Sequence, residues 1–175
     1  MTAERRRPAL DTFANISCIV VCVLLAMTFA RDHFGIGNRD IPQAGISSGD
    51  VGPEIPGLQY SEASATVIIF ISAFCAPCLS SLSDYAELQN LADQSHGKLR
   101  IVSLIQEREA EHMGVLKTKG LNTSIIIVPK FSKYKVSATP TLLVVGKSGL
   151  VKDLWIGKVT PVKTIKQTIE ELIRI

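Results

Sequence analysis

Apolar positions fall into three patterns along the chain. Residues 12–30 carry no charged side chain. A helix over those 19 residues would be about 28 Å long, close to the roughly 30 Å of a bilayer's hydrocarbon core. Further on come short runs rich in Val, Ile and Leu, at 66–72, 99–105, 124–128, 141–145 and 150–156. They read as strands, the first two of them buried. Stretches with helical spacing complete the pattern. Leu82, Tyr85, Leu88 and Leu91 recur every three residues and predict a helix from Cys75 to about Ser95, stopping near His96 and Gly97. Residues 107–119 predict a polar helix closed by Gly120. Val162, Ile165, Ile169 and Leu172 give one apolar face to a final helix, with Thr160 as N-cap and Pro161 in its first turn. Lys147, Ser148 and Gly149 predict a hairpin turn between the last two strands.

This order of elements predicts an α/β fold, a central mixed sheet flanked by helices on both faces. Residues 1–11 read as a cytoplasmic N-terminus, 12–30 as a transmembrane signal anchor, 31–52 as a Gly-, Pro-, Ser- and Asp-rich linker and 53–175 as the folded domain. Arg5, Arg6 and Arg7 precede the apolar run. They stay in the cytoplasm, so the domain is expected outside it, in the periplasm or at the cell exterior. The alternative is a cleaved signal peptide with Thr28-Phe29-Ala30 as its cleavage site. The length of the run favours the anchor. A formal charge of +3 spread over 175 residues argues against nucleic acid as a partner. Cys18 and Cys22 share one helix face inside the apolar run, as small packing residues or as a disulfide-linked or redox-relay pair.

The remaining cysteines, in Phe74-Cys75-Ala76-Pro77-Cys78, follow the first buried strand and open the first helix. That place has a chemistry. Free N–H groups and the positive end of a helix stabilise a thiolate, and the thiolate is the nucleophile of disulfide exchange. Cys78, about one turn on, can resolve a mixed disulfide made by Cys75. Pro77 fits because the first turn has no partner for the N–H that proline lacks. Half a zinc site and plain core cysteines are the bland readings. Zinc needs about four ligands, and His33, His96 and His112 are scattered. Haem attachment needs a histidine where Leu79 stands. No metal and no cofactor is expected.

Residues 136–145, Val-Ser-Ala-Thr-Pro-Thr-Leu-Leu-Val-Val, place Pro140 directly before an apolar strand, the one strand position that tolerates it. Together with the cysteine pair, this resembles the thioredoxin-like superfamily over roughly residues 53–175. The branch most resembled is the exported, membrane-tethered TlpA, ResA and CcmG type, linked to cytochrome c maturation and related thiol reduction, and the MauD type. Thr139-Pro140-Thr141, the turn at Gly149 and Trp155-Ile156-Gly157 carry that likeness. The helix and strand between the two motifs match that branch's insertion, and the short approach to the first strand implies that the N-terminal hairpin is incomplete. The resemblance implies a thiol–disulfide oxidoreductase with Cys75 attacking and Cys78 resolving. It implies a cis Thr139–Pro140 bond against the pair, and a substrate surface of Phe74, Ala76, Pro77, Thr139 and Pro140. The partners it implies are disulfide-containing proteins outside the cytoplasm, with an electron donor in the membrane left open.

Three positions depart from the family pattern. Phe74 replaces a tryptophan. Ile69 stands where thioredoxins bury an aspartate, and Leu79-Ser80-Ser81-Leu82 where the cytochrome-maturation branch has a glutamate. Both usual proton acceptors for the resolving thiol are thus missing from the motifs. Ala76-Pro77 lacks the histidine of strongly oxidising members, which favours a reductant or a moderate-potential exchanger. The rival function is a thioredoxin-fold copper chaperone or oxidase assembly factor using the cysteines as ligands, although no histidine follows His112. A peroxidase would need Pro and Thr where Ile68 and Ser72 stand.

Overall fold

Strand β1 (Ala65–Phe70) is buried at every residue. Ala65, Val67 and Ile69 join one apolar cluster, and Ile68 and Phe70 join another. That alternation is the mark of a strand covered on both faces. The computed structural model of the chain describes residues 45–158 and 162–174, together with Val21 and Val23. The chain divides into two units, Met1–Ile41 and Pro42–Ile175. The anchor at 12–30 (apart from Val21 and Val23, both helical), the cysteines at 18 and 22, and Thr160 and Pro161 lie outside the described residues. Among the described residues, no helix is long and apolar enough to cross a membrane.

From β1 the chain enters α1 (Ala76–Ser80), α2 (Leu82–Gln94) and β2 (Leu99–Gln106). A 3-10 segment (Glu107–His112) leads into α3 (Met113–Thr118) and β3 (Ser124–Val128). A second 3-10 segment (Phe131–Tyr134) precedes β4 (Thr141–Gly146), β5 (Val151–Ile156) and α4 (Val162–Arg174). The sheet order is β3-β2-β1-β4-β5. β1, β2 and β3 run parallel, β4 is antiparallel to β1 and β5 is antiparallel to β4, so the sheet is mixed as expected. The β4–β5 hairpin turns where expected, with Gly149 at φ +80°, a backbone that side chains rarely adopt.

Four expectations change in detail. The single helix from Cys75 to Ser95 is two helices, broken at Ser81 (φ −102°, ψ 6°). The hydroxyls of Ser80 and Ser81 both donate to the Pro77 carbonyl and compete with the helical ladder there. In α2 it is Ala92, rather than Leu91, that completes the buried stripe with Leu82, Tyr85 and Leu88. The polar helix at 107–119 begins as a 3-10 segment and buries Glu109. Helices on both faces hold only in part. Among the described residues, the buried side chains of the α-helices join the cluster that holds Ile69 and Cys78. The opposite face is covered by Phe131 and Tyr134 of the 3-10 segment and by Ile46 and Ile55.

Ile46 comes from the stretch read as linker, and residues 45–52 are in fact tied to the domain. Gly45 donates to Lys135 O, Gly49 to Val151 O and Gly52 to Gly149 O. Among the described residues, the only strand pairing before β1 is the single bridge between Val51 and Leu150, so no complete N-terminal hairpin stands there.

Candidate active site

The site begins where β1 ends. Ile71 N–H still bonds to Leu104 O of β2, after which the chain leaves the sheet through Ser72, Ala73 and Phe74. Phe74 N–H donates to Ser72 Oγ at 3.2 Å and Cys75 N–H to Ser72 O at 3.3 Å, which folds the loop tightly under the cysteines. Cys75 is the N-cap of α1, in extended conformation, and its Sγ accepts the backbone N–H of Cys78 at 3.2 Å. Pro77 sits in the first turn, as its missing N–H allows. The two cysteines form a disulfide, with their Cα atoms 5.1 Å apart. Cys75 is half-buried and Cys78 fully buried among apolar side chains. α1 has only five residues, so few aligned peptides contribute to its dipole. The direct Cys78 N–H contact therefore matters more to a thiolate on Cys75 than the macrodipole argument implies.

The proline loop closes over this pair. The Thr139–Pro140 bond is cis. β1 and β4 pair Phe70 with Thr141, so the entrance of β4 lies beside the exit of β1. Thr141 Oγ1 donates to Ala138 O at 2.8 Å, and Gly157 N–H donates to Pro140 O at 2.7 Å. The Trp-Ile-Gly motif thus anchors the proline. Cys75 Sγ lies 3.3 Å from the carbonyl oxygen of Thr139. In the disulfide this is a contact without a proton; the reduced thiol has the S–H to turn it into a hydrogen bond. Phe74, Ala76 and Pro77 are exposed around Cys75, Thr139 is half-buried, and Pro140 is buried.

The two positions where acids were missed are apolar in the fold as well. Ile69 is fully buried and shares a cluster with Cys78, and Leu79 packs against that cluster. A carboxyl reaches the site from another element. Glu109, 3% exposed, accepts the backbone N–H of Ala73 through Oε2 at 3.0 Å. Its Oε1 lies 3.8 Å from Arg108 Nε. It also lines a cleft of about 720 Å³ together with Ser72, Arg108, Lys130 and Thr139. Motif reading missed Glu109 because no family spacing points to it. The available signal was topological: β1 and β2 are adjacent and parallel, so the residues after each emerge at the same end of the sheet. On the outer side, the rings of Phe74 and His112 meet edge to face at 4.7 Å. Among the described residues, no three His, Cys, Asp or Glu side chains are placed to hold a metal ion.

A mixed sheet whose central strand delivers a cysteine-capped helix, beside an antiparallel neighbour entered through a cis-proline, is the thioredoxin-like fold. Solved structures agree. The chain is similar to a candidate thiol:disulfide interchange protein DsbE from Chlorobium tepidum, with TM-score 0.63, 17% identity and coverage of 74% of this chain and 99% of that one. It is similar to the thioredoxin domain of a thiol-disulfide oxidoreductase from Bacteroides vulgatus, with TM-score 0.60, 14% identity and coverage of 71% and 99%. StoA from Bacillus subtilis follows, with TM-score 0.53, 17% identity and coverage of 73% and 97%. No family model matches the chain, and no curated protein matches it in sequence.

Proposed function

We propose that this protein is a thiol–disulfide oxidoreductase that exchanges disulfides with proteins outside the cytoplasm, held at the membrane by residues 12–30. One observation carries the reading. Cys75 is within reach of solvent and accepts the N–H of Cys78, while Cys78 is buried behind it. That asymmetry separates an attacking sulfur from a resolving one. The neighbouring structures, whose names speak of a thiol:disulfide interchange protein and a thiol-disulfide oxidoreductase, support the same reading.

In the reductive direction the Cys75 thiolate attacks one sulfur of a substrate disulfide. That S–S bond breaks, one substrate sulfur leaves as thiolate, and a mixed disulfide joins Cys75 to the other. Cys78 then gives up its proton and attacks Cys75 Sγ. The mixed bond breaks, the Cys75–Cys78 disulfide closes, and the second substrate thiolate leaves. Two electrons pass to the substrate, and its two thiolates take up the two protons released by the cysteines. An extended substrate segment lies along the Thr139 backbone against Pro140, with Phe74, Ala76 and Pro77 forming the rest of the contact rim. The uncharged run at 12–30, preceded by three arginines, supports the anchor and the outward orientation.

The test is redox titration of the full chain in glutathione buffers, with free thiols counted by alkylation and mass spectrometry. One two-electron transition at Cys75 and Cys78 is expected, with reduction of insulin by the dithiol form. A pair that stays fixed across the whole range, or a dithiol that reduces nothing, overturns the proposal.

A further inference from the structure

We infer that Glu109 is a positioning residue that sets the redox poise of the cysteine pair, holding it on the reducing side. The inference rests on the exchange reading above. Glu109 is a buried acid on a segment that belongs to no cysteine motif, yet its carboxylate Oε2 binds the N–H of Ala73 in the loop that leads to Cys75. Burying a carboxyl is costly unless it is paired. Here both oxygens are engaged, Oε2 by Ala73 and Oε1 by Arg108. The buried end of that arrangement is turned to the active-site loop rather than to solvent.

Two consequences follow. The hydrogen bond fixes the exit of the loop and hence the place of Cys75 relative to Thr139. The negative charge lies on the loop that carries the thiolate: Oε2 is 3.0 Å from Ala73 N, and Ala73 and Cys75 are at most about 7 Å of chain apart. A carboxylate there makes the Cys75 thiolate less favourable. Thiolate stability and oxidising power go together, because stabilising the reduced form raises the potential. Glu109 therefore biases the pair towards reduction of its substrates, a role distinct from that of the proton acceptors absent at Ile69 and after Cys78.

Other titratable groups lie at the site and around Cys78. Arg108 is exposed and offsets part of the charge, and Glu107 and Lys130 line the same cleft. His112, with Glu111 beside it, edges the ring of Phe74. Tyr85, packed in the Cys78 cluster, is pushed up to about 12 by burial and stays neutral where thiols titrate.

The experiment compares the full chain with Glu109→Gln and Arg108→Gln. The glutamine keeps an oxygen for Ala73 N–H and removes the charge. Reduced protein is alkylated with iodoacetamide from pH 5 to 9, and the Cys75 peptide is followed by mass spectrometry. Glu109→Gln is expected to alkylate about threefold faster or more at pH 7, with the midpoint moved to lower pH and the glutathione equilibrium moved towards the dithiol. Arg108→Gln, which uncovers the carboxylate, is expected to move both readouts the opposite way. An unchanged midpoint in Glu109→Gln, or a shift to higher pH, overturns the inference, because a purely structural role is satisfied by glutamine. Should Glu109→Gln fail to fold, the exposed Arg108→Gln carries the test, and no slowing of alkylation overturns it. Failure of the unmodified pair to equilibrate with glutathione would sink the exchange reading instead, while the alkylation profile would still report on Glu109.

Discussion

Sγ of Cys75 stands 3.3 Å from the carbonyl oxygen of Thr139, 64 residues further along the chain. The relationship ties the sulfur proposed to attack to the loop proposed to receive substrate. Cys78 behind it is fully buried.

The two cysteines should therefore fail differently. Cys75→Ser should abolish insulin reduction. Cys78→Ser should keep the first attack and lose resolution, so mixed disulfides with partner proteins should accumulate on non-reducing gels. Partners trapped by Cys75→Ser instead would reverse the assigned roles.

Phe74 is 71% exposed, and its ring meets that of His112 edge to face. A large ring held open to solvent beside the attacking sulfur suits contact with a substrate. Phe74→Ala should lower kcat/KM for a protein disulfide by about tenfold, the scale of a well-placed aromatic anchor. Stability should change by no more than about 0.5 kcal/mol, as at other surface sites. Loss of stability without loss of kcat/KM would assign the ring to packing.

Release of substrate requires Cys78 to lose its proton among apolar neighbours, with Ile69 in the same cluster. A thiol buried in this way gives up its proton less readily than one in water. Decay of the mixed disulfide, followed by stopped flow, should therefore quicken as pH rises from 6 to 9. Ile69→Asp should raise the neutral-pH rate and destabilise the fold by at least about 1–3 kcal/mol, the cost of an unpaired buried polar group. Decay that is fast and flat with pH in the unmodified chain would mean that another group takes the proton.

The anchor has its own test. Alkaline phosphatase fused after Ile175 should be active and sediment with membranes, because in the proposed orientation Arg5 to Arg7 keep the N-terminus inside. Activity in the soluble periplasmic fraction would indicate cleavage near Ala30, and inactivity would reverse the orientation.

Local pattern carried much of the fold. The strands, the last helix, the hairpin at Gly149 and the proline at the start of β4 were legible because each depends on spacing or on one backbone preference. The cysteine pair and Pro140 were legible for the same reason, since both lie at the ends of readable elements. The break at Ser81 has a local cause too, two adjacent hydroxyls donating to one carbonyl, though the apolar stripe running across it hides the signal.

What lay beyond the sequence is what strand order decides. Glu107, Glu109 and Glu111 look alike as a polar run, and only the parallel pairing of β1 with β2 brings one of them beneath the cysteine loop. Residues 45–52 read as linker by composition, yet their backbone bonds to Lys135 just after the 3-10 segment, to β5 and to the hairpin turn, and Ile46 fills the second face of the sheet. Phe74 and His112 meet for the same reason. The sequence by itself determined which residues form strands, where the cysteines cap a helix and where proline enters the sheet, because those follow from neighbours along the chain. Which acid stands beside the cysteines, and what covers the second face, only the tertiary structure decided, because those contacts join segments brought together by the sheet alone.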